Sequence, residues 1–258
     1  MKQKNTNVIM ILCTTFTCLF WAGAARAQSF QPYKSGIIAY HGYQFPVVPG
    51  TDEWKQLGYA QRVESLQVPT DTLNQMSTTR LLETCLYYPF NIDIIAFDNY
   101  LKGYDHIKSQ FNGYSELLNR SDFVQCLIDL YNGRDASFVK QLTNDYEKGR
   151  YSFDFQLMEY LFTDAAMLAS PSQSEQIVCL LIKKTDQKSQ WTNVFSSVPP
   201  PITALAIGRC FQRCHLLSDY QGNTLDSFLQ GKTTINNTDL LYLFDKAREL
   251  FKSNSTND

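Results

Sequence analysis

Apolar residues recur at the spacing of amphipathic helices through most of the chain. One stripe contains Leu81, Leu82 and Cys85, with Ser77 placed to cap the helix and Pro89 placed to end it. Other predicted helices begin at Ser121, Asp135, Ser152 and Ser172 or cover 202–217, 225–229 and 238–251. The pattern predicts an all-α protein, built as an irregular helical bundle or a short superhelix.

Two predicted helices share the phrase Phe-Val-x-x-Leu-x-x-x-Tyr, at 123–131 and again at 138–146. Each copy is followed by Gly-Arg. A stacked helical repeat would produce this likeness, and so would the common demand for an apolar stripe. The sequence is compatible with both interpretations.

Residues 28–50 follow a different pattern, since β-branched and aromatic residues surround the His41-Gly42 pair. This predicts a small extended or β-like N-terminal arm, with a short hairpin as an alternative. The remainder, 51–258, contains no flexible linker, and we interpret the proline-rich stretch 196–201 as a stiff connector inside a single helical domain.

The first 27 residues have the layout of a secretory signal peptide. Lys2 and Lys4 precede a nearly uncharged apolar run, and Ala25-Arg26-Ala27 provides small residues for cleavage. The run is shorter than the roughly 18–20 residues that cross a bilayer. We therefore expect cleavage after Ala27, no transmembrane segment in the mature protein, and a periplasmic or extracellular location.

Charge argues against nucleic acid as a partner. The whole chain has a net charge of −2, from 23 Lys and Arg and 25 Asp and Glu. Residues 1–27 hold three basic residues and no acid, so their removal leaves 20 against 25, a net charge of −5. Nucleic-acid binding proteins usually present a basic surface instead.

Five cysteines follow the predicted cleavage site: Cys85, Cys126, Cys179, Cys210 and Cys214. An odd number implies no complete disulfide framework. Cys210, Cys214 and His215 form the one candidate metal cluster, although a closed zinc site takes four convergent ligands. We favour buried thiols over a disulfide or a metal site, and no cofactor is predicted.

Motifs of known chemistry are missing from the sequence. It contains no His-Glu-x-x-His, Gly-x-Ser-x-Gly, Gly-x-Gly-x-x-Gly or EF-hand pattern. Acid–base chemistry would depend on carboxylates or on His41, His106 and His215. No catalytic residue is assigned on these grounds.

The stretch from 54 to 122 resembles a block of secreted bacterial helical proteins without an assigned activity. The resemblance is carried by Trp54, Lys55, Leu57, Val68, Pro69, Leu73, Met76, Ser77, Thr78, Leu81, Glu83, Thr84, Tyr88, Pro89, Asp93, Ala96, Phe97, Asn99, Gly103, Phe111, Asn112, Gly113, Glu116, Leu117, Arg120 and Asp122. It implies export and a helical fold. Within the block, Asp93, Asn99 and Asn112 are polar residues among bulky ones, so they are the candidate binding residues, with satisfaction of buried backbone groups as the alternative.

Three functions are compatible with these patterns. The favoured one is an exported interaction module that binds a protein, a peptide or a cell-envelope component through aromatic surface, because the chain has 15 Tyr and 17 Phe. The second is a small hydrolase with a site near His41, Cys85 or the Asp93 and Asn99 region. The third is an inhibitor or immunity-type protein, for which the acidic charge favours a basic partner.

Overall fold

A computed structural model describes residues 32–196, 200–218, 220 and 224–255. Helices dominate this part of the chain and no β-strand occurs in it, which confirms the all-α prediction. The predicted signal peptide and residues 197–199 of the predicted connector lie outside the described residues.

The α-helices are α1 (Asp52–Gln56), α2 (Tyr59–Ser65), α3 (Thr70–Gln75), α4 (Thr78–Leu86), α5 (Tyr100–Gln110), α6 (Asn112–Leu118), α7 (Phe123–Gly133), α8 (Asp145–Leu168), α9 (Pro171–Lys188), α10 (Pro201–Arg213), α11 (Leu225–Leu229) and α12 (Asn237–Ser255). Short 3₁₀ helices cover Pro89–Ala96, Ala136–Gln141 and Ser189–Trp191. The predicted cap at Ser77 is confirmed, since its side chain accepts a hydrogen bond from the backbone N–H of Arg80.

Helix α8 is surrounded by other helices, packing against α4, α7, α9 and α10. Its buried acids Asp154 and Glu159 and its half-buried Asp164 follow one another at intervals of five residues. A step of five residues along an α-helix rotates the side-chain direction by about 140° beyond a full turn. Each of the three acids therefore points toward a different neighbouring element. Asp154 meets Tyr33, Tyr87 and Arg150; Glu159 meets Tyr131 and Lys188; and Asp164 meets Tyr104 and Lys108.

Each of these three acids of α8 is thus supplied with a tyrosine hydroxyl and a cation, as buried carboxylates require. Burial, reinforced by the neighbouring carboxylates, raises the pKa of Tyr104 and Tyr131 well above the ordinary value. Their hydroxyls therefore remain protonated donors at neutral pH. The arrangement lets a helix with several charges run through the core.

Two predicted helix boundaries around α8 are wrong. The sequence predicts one helix from Asp135 to Gly149 and another from Ser152, but α8 begins at Asp145 and continues through Gly149. Asn144 is the true N-cap, because its side chain accepts from the backbone N–H of Glu147. A glycine inside a helix costs only about 1 kcal/mol, which packing of α8 on every side outweighs.

The possible sequence repeat does not correspond to a structural repeat. Its first copy lies on α7, whereas its second is divided between a 3₁₀ helix and the first turn of α8. The last residue of the phrase is fully buried as Tyr131 but exposed as Tyr146. The shared phrase therefore reflects only the demand for apolar stripes.

The start of α9 also differs from the prediction. The sequence predicts a capping box formed by Ser172 and Glu175, but the structure has Ser170 as the N-cap and Gln173 as its partner. Pro171 occupies the first helical position, where its missing N–H costs nothing. The prediction is wrong by two residues because it used the proline to end the preceding helix.

The described part of the N-terminal arm contains neither helix nor strand, so the alternative of a hairpin is not formed there. Acids on α8 hold it against the helices. The hydroxyl of Tyr33 donates to Asp154 at 2.5 Å, and the backbone N–H of Ser35 donates to Glu147 at 2.8 Å. The arm is an extended segment whose aromatic side chains complete the core.

Cations from elements distant in sequence close the ends of several helices. They donate to the carbonyl oxygens that a helix leaves without partners at its C-terminus. The pairs are Arg120 with Leu73 and Met76, Arg150 with Leu86, Lys184 with Asn132 and Arg134, Arg209 with Leu229, and Arg213 with Ala169. These contacts fix how short helices meet one another.

Candidate functional site

Two of the three predicted binding residues, Asn99 and Asn112, form hydrogen bonds to backbone groups. Asn99 caps α5 by accepting from the N–H groups of Leu101 and Lys102. Asn112 both accepts from the N–H of Val68 and donates to its carbonyl oxygen, at 3.1 and 2.7 Å. These contacts correspond to the structural alternative, in which polar residues satisfy backbone groups.

The third residue, Asp93, lies on the surface of the 3₁₀ helix Pro89–Ala96. Its pKa is raised by partial burial, while the charge of His106 and the nearby hydroxyl of Tyr59 act in the opposite direction. The ring of His106 also contacts Phe97, with centroids 5.0 Å apart. These interactions place Asp93 near Tyr59 and His106.

Exposed apolar side chains stand on both sides of Asp93. A 3₁₀ helix repeats every three residues, so residues three apart share a face. Ile92 and Ile95 share one face and are 52% and 69% exposed. Phe97, at the end of the helix, is 38% exposed, and Tyr59 on α2 is 48% exposed. We call these four side chains the apolar ridge.

A second face of the 3₁₀ helix, which contains Asn91 and Ile94, is anchored in the core. The side-chain amide of Asn91 donates to the carbonyl oxygens of Cys85 and Leu86 at 2.8 and 3.0 Å. Its oxygen accepts from the hydroxyl of Tyr114 at 2.9 Å. Asn91 is fully buried, so these bonds are shielded from water. They fix the orientation of the helix that carries the ridge.

Close packing holds the same helix from the side of α5. A Cβ atom built on Gly103 would lie 2.4 Å from the carbonyl oxygen of Ile94. Only glycine permits this approach of the two backbones. Aromatic contacts continue the support on the other side, where Phe90 packs against Tyr59 and Trp54 with centroid distances of 5.1 and 5.5 Å. The ridge is therefore rigidly mounted.

A second candidate site is a cleft between α8, α9 and α12, with a volume of about 480 Å³. We call it the Lys188 cleft. It is lined by Ser152, Phe155, Gln156, Glu159, Thr185, Asp186, Lys188, Ser189, Phe195, Ser196, Pro200, Pro201 and Arg248. Its size falls in the range of small-molecule sites.

Glu159 forms the inner wall of this cleft and is fully buried. One carboxylate oxygen accepts from the hydroxyl of Tyr131 at 2.5 Å and binds the ammonium of Lys188. The other accepts from the hydroxyl of Thr203 at 2.5 Å. With three donors on its two oxygens, the carboxylate is well satisfied.

The cysteine of the hydrolase hypothesis is not placed as a reactive nucleophile. Cys85 is fully buried, and burial raises the pKa of its thiol well above the ordinary value. A thiol of that kind is a poor nucleophile, because the thiolate is the reactive form. Among the described residues, no hydrogen bond joins Cys85 to His41 or His106.

The candidate metal residues take separate structural roles. Cys210 is buried in the core, and burial raises its pKa. Cys214 is the C-cap of α10, and His215 follows with a φ of 57°, the left-handed conformation that ends a helix. Both cysteines are free thiols. Within the described ranges, no group of three or more His, Cys, Asp or Glu is placed to hold a metal ion.

Replacing Cys210 and Cys214 together with alanine is expected to lower the free energy of unfolding by about 2 kcal/mol. Most of the loss should come from Cys210, since it is the buried one. Denaturant unfolding measures the change, and elemental analysis should find no zinc before or after substitution. Stoichiometric zinc, together with a lower Tm in a chelator, would contradict this assignment.

Of the two candidate sites, the sequence pattern indicated only Asp93, which lies beside the apolar ridge. The spacing of Ile92 and Ile95 matches a 3₁₀ helix. Because 3₁₀ helices of eight residues are uncommon, the sequence pattern did not predict the apolar ridge. The pair Ile92 and Ile95, separated by an acid, was the available signal. The Lys188 cleft joins residues of α8 and α12 that are about ninety positions apart, and no local pattern reveals such a meeting.

No family model, curated protein or solved structure matches the chain. Among the helices that the structure describes, none combines the length and apolar character needed to cross a membrane.

Proposed function

We propose that this chain is an exported interaction protein whose apolar ridge docks on a basic segment of a protein partner. The observation that carries the proposal is the exposure of Ile92 and Ile95 on a helix whose other face is locked by Asn91. Contiguous exposed apolar side chains mark interaction surfaces. A rigid mounting lowers the entropy lost on binding.

Charge defines the chemistry of the partner. Asp93 and Asp98 are the charged residues of the stretch 89–98, and both are acidic. The chain after the predicted cleavage site is also acidic overall, at −5. A partner that presents apolar side chains flanked by lysine or arginine complements both features. An inhibitor or immunity-type protein is the special case in which that partner is an enzyme.

Export rests on sequence features. The first 27 residues have the layout of a signal peptide, and the stretch 54–122 resembles secreted bacterial helical proteins. The ridge lies inside that stretch. An interaction surface on a protein delivered outside the inner membrane suits a partner in the cell envelope or beyond it.

Binding of an amphipathic helical peptide made of leucine and lysine tests the proposal. We expect it to bind the protein, and we expect the double substitution Ile92→Ser and Ile95→Ser to weaken binding at least about tenfold, as for residues at the centre of an interface. Added salt should weaken it too. Fluorescence anisotropy of the labelled peptide gives the Kd.

Leu241→Ser is the matched control, because Leu241 is 60% exposed on α12 and lies outside the ridge. It should leave the Kd unchanged. The leucine–glutamate counterpart of the peptide should bind poorly. Equal affinity of the ridge variant and the control variant, or equal binding of the two peptides, would refute the proposal.

A further inference from the structure

Lys188 is one of the residues that line the Lys188 cleft, and it is only 6% exposed. Among the described residues, its hydrogen-bond partner is Glu159 alone. An ammonium group has three N–H donors, so two remain for a ligand. The ring of Phe155 lies beside the group, 5.8 Å from the nitrogen to the centroid.

The hydrogen-bond acceptors of the inner wall are the carboxylate oxygens of Glu159, and both already accept hydrogen bonds from the protein. The carboxylate of Glu159 already accepts from Tyr131 and Thr203 as well as from Lys188. The inner wall therefore offers hydrogen-bond donors rather than acceptors. A ligand group that fits it is an acceptor, and a buried cation favours one that carries negative charge.

The rim of the cleft contains a second cation. The guanidinium nitrogens of Arg248 lie 3.8 Å from a carboxylate oxygen of Asp186 and 3.8 Å from one of Asp245. Both distances are longer than a hydrogen bond. Its guanidinium can thus turn to a ligand. Glu159 and Asp186 oppose a group with two negative charges, so a singly charged carboxylate fits better than a phosphate.

The rest of the lining is apolar or carries hydroxyl groups. Phe155 and Phe195 meet edge to face, with centroids 5.3 Å apart, and Pro200 and Pro201 line the cleft with them. A few polar groups in an otherwise apolar cleft are the usual design of a small-ligand site. An apolar ligand group of about the size of a phenyl ring can pack against Phe155 and Phe195.

From these features we infer that the Lys188 cleft binds an apolar carboxylate, with its charged group on Lys188 and its apolar body against Phe155 and Phe195. The carboxylate can belong to a free acid or to the C-terminus of a peptide. The site is independent of the apolar ridge, since it lies on other helices.

Titration calorimetry with two acid and amide pairs tests this inference. The probes are phenylpropionate with phenylpropionamide, and acetyl-Gly-Phe with its C-terminal amide. We expect each acid to bind at least about tenfold more tightly than its amide, as a charge-assisted contact predicts. The pair with the tighter acid identifies the source of the carboxylate.

Gln156→Trp should abolish binding of both acids by filling the cleft. Leu168→Trp is its control, because Leu168 is exposed on the same helix and lies outside the cleft. The double variant Glu159→Leu and Lys188→Met should lose the preference for acids. Acid and amide binding equally, no acid binding at all, or acid binding by the Gln156→Trp protein would each overturn the inference.

Discussion

Replacing Glu159 with leucine is expected to lower the free energy of unfolding by about 3–5 kcal/mol, the usual cost of breaking a buried ion pair. The substitution leaves the ammonium of Lys188 without its carboxylate and deprives the hydroxyls of Tyr131 and Thr203 of their acceptor. The hydroxyl-bearing residues Tyr131 and Thr203 are fully buried, so water cannot replace the bonds that they lose. Urea unfolding followed by circular dichroism measures the loss.

The double variant Glu159→Leu and Lys188→Met is the decisive control for this prediction. It removes both charges and keeps similar volumes, so it should be more stable than the single variant Glu159→Leu. The difference isolates the cost of an unpaired ammonium. A double variant that is less stable than the single one, by about the sum of two independent losses, would contradict the account of this pair.

Replacing Gly103 with alanine is expected to cost about 3 kcal/mol, even though alanine favours helix by about 1 kcal/mol over glycine. The new methyl group would lie 2.4 Å from the carbonyl oxygen of Ile94, and a backbone atom cannot move aside as a side chain can. Helix α5 and the 3₁₀ helix must therefore separate. Thermal unfolding reports the change.

Gly149→Ala is the matched control, because Gly149 also lies inside a helix but has open space around its Cβ position. It should stabilise the protein by about 0.5–1 kcal/mol. The two glycine substitutions thus have opposite expected signs. A stabilising Gly103→Ala substitution would show that the close approach of α5 to the 3₁₀ helix is not required.

Local patterns predicted what depends on local physics. The apolar stripe of α4, its cap at Ser77 and the short helix Leu225–Leu229 could be derived from spacing and capping chemistry alone. The start and length of α8 could not be derived from local patterns. Its start depends on Asn144, and its acids are stable in the core only because partners from the N-terminal arm and from several other helices reach them.

The candidate site was predicted only in part, for a similar reason. Polar residues among bulky ones suggested Asp93, Asn99 and Asn112, but the sequence does not show which side chains bind the backbone. Asn99 and Asn112 do, whereas Asp93 lies on the surface beside the apolar ridge. The exposure of Ile92 and Ile95 follows from Asn91 being anchored by Cys85 and Leu86, a contact invisible in the periodicity of the segment.

The central claim is that the apolar ridge is the surface that docks a basic partner, and the most direct test is a map of where the leucine–lysine peptide binds. Titrating this peptide into isotope-labelled protein and following the backbone amide signals by NMR provides the map. The account predicts that shift changes concentrate at 89–98 and around Tyr59. Changes centred on another surface, such as that around Leu241, or spread evenly over the helices would contradict it.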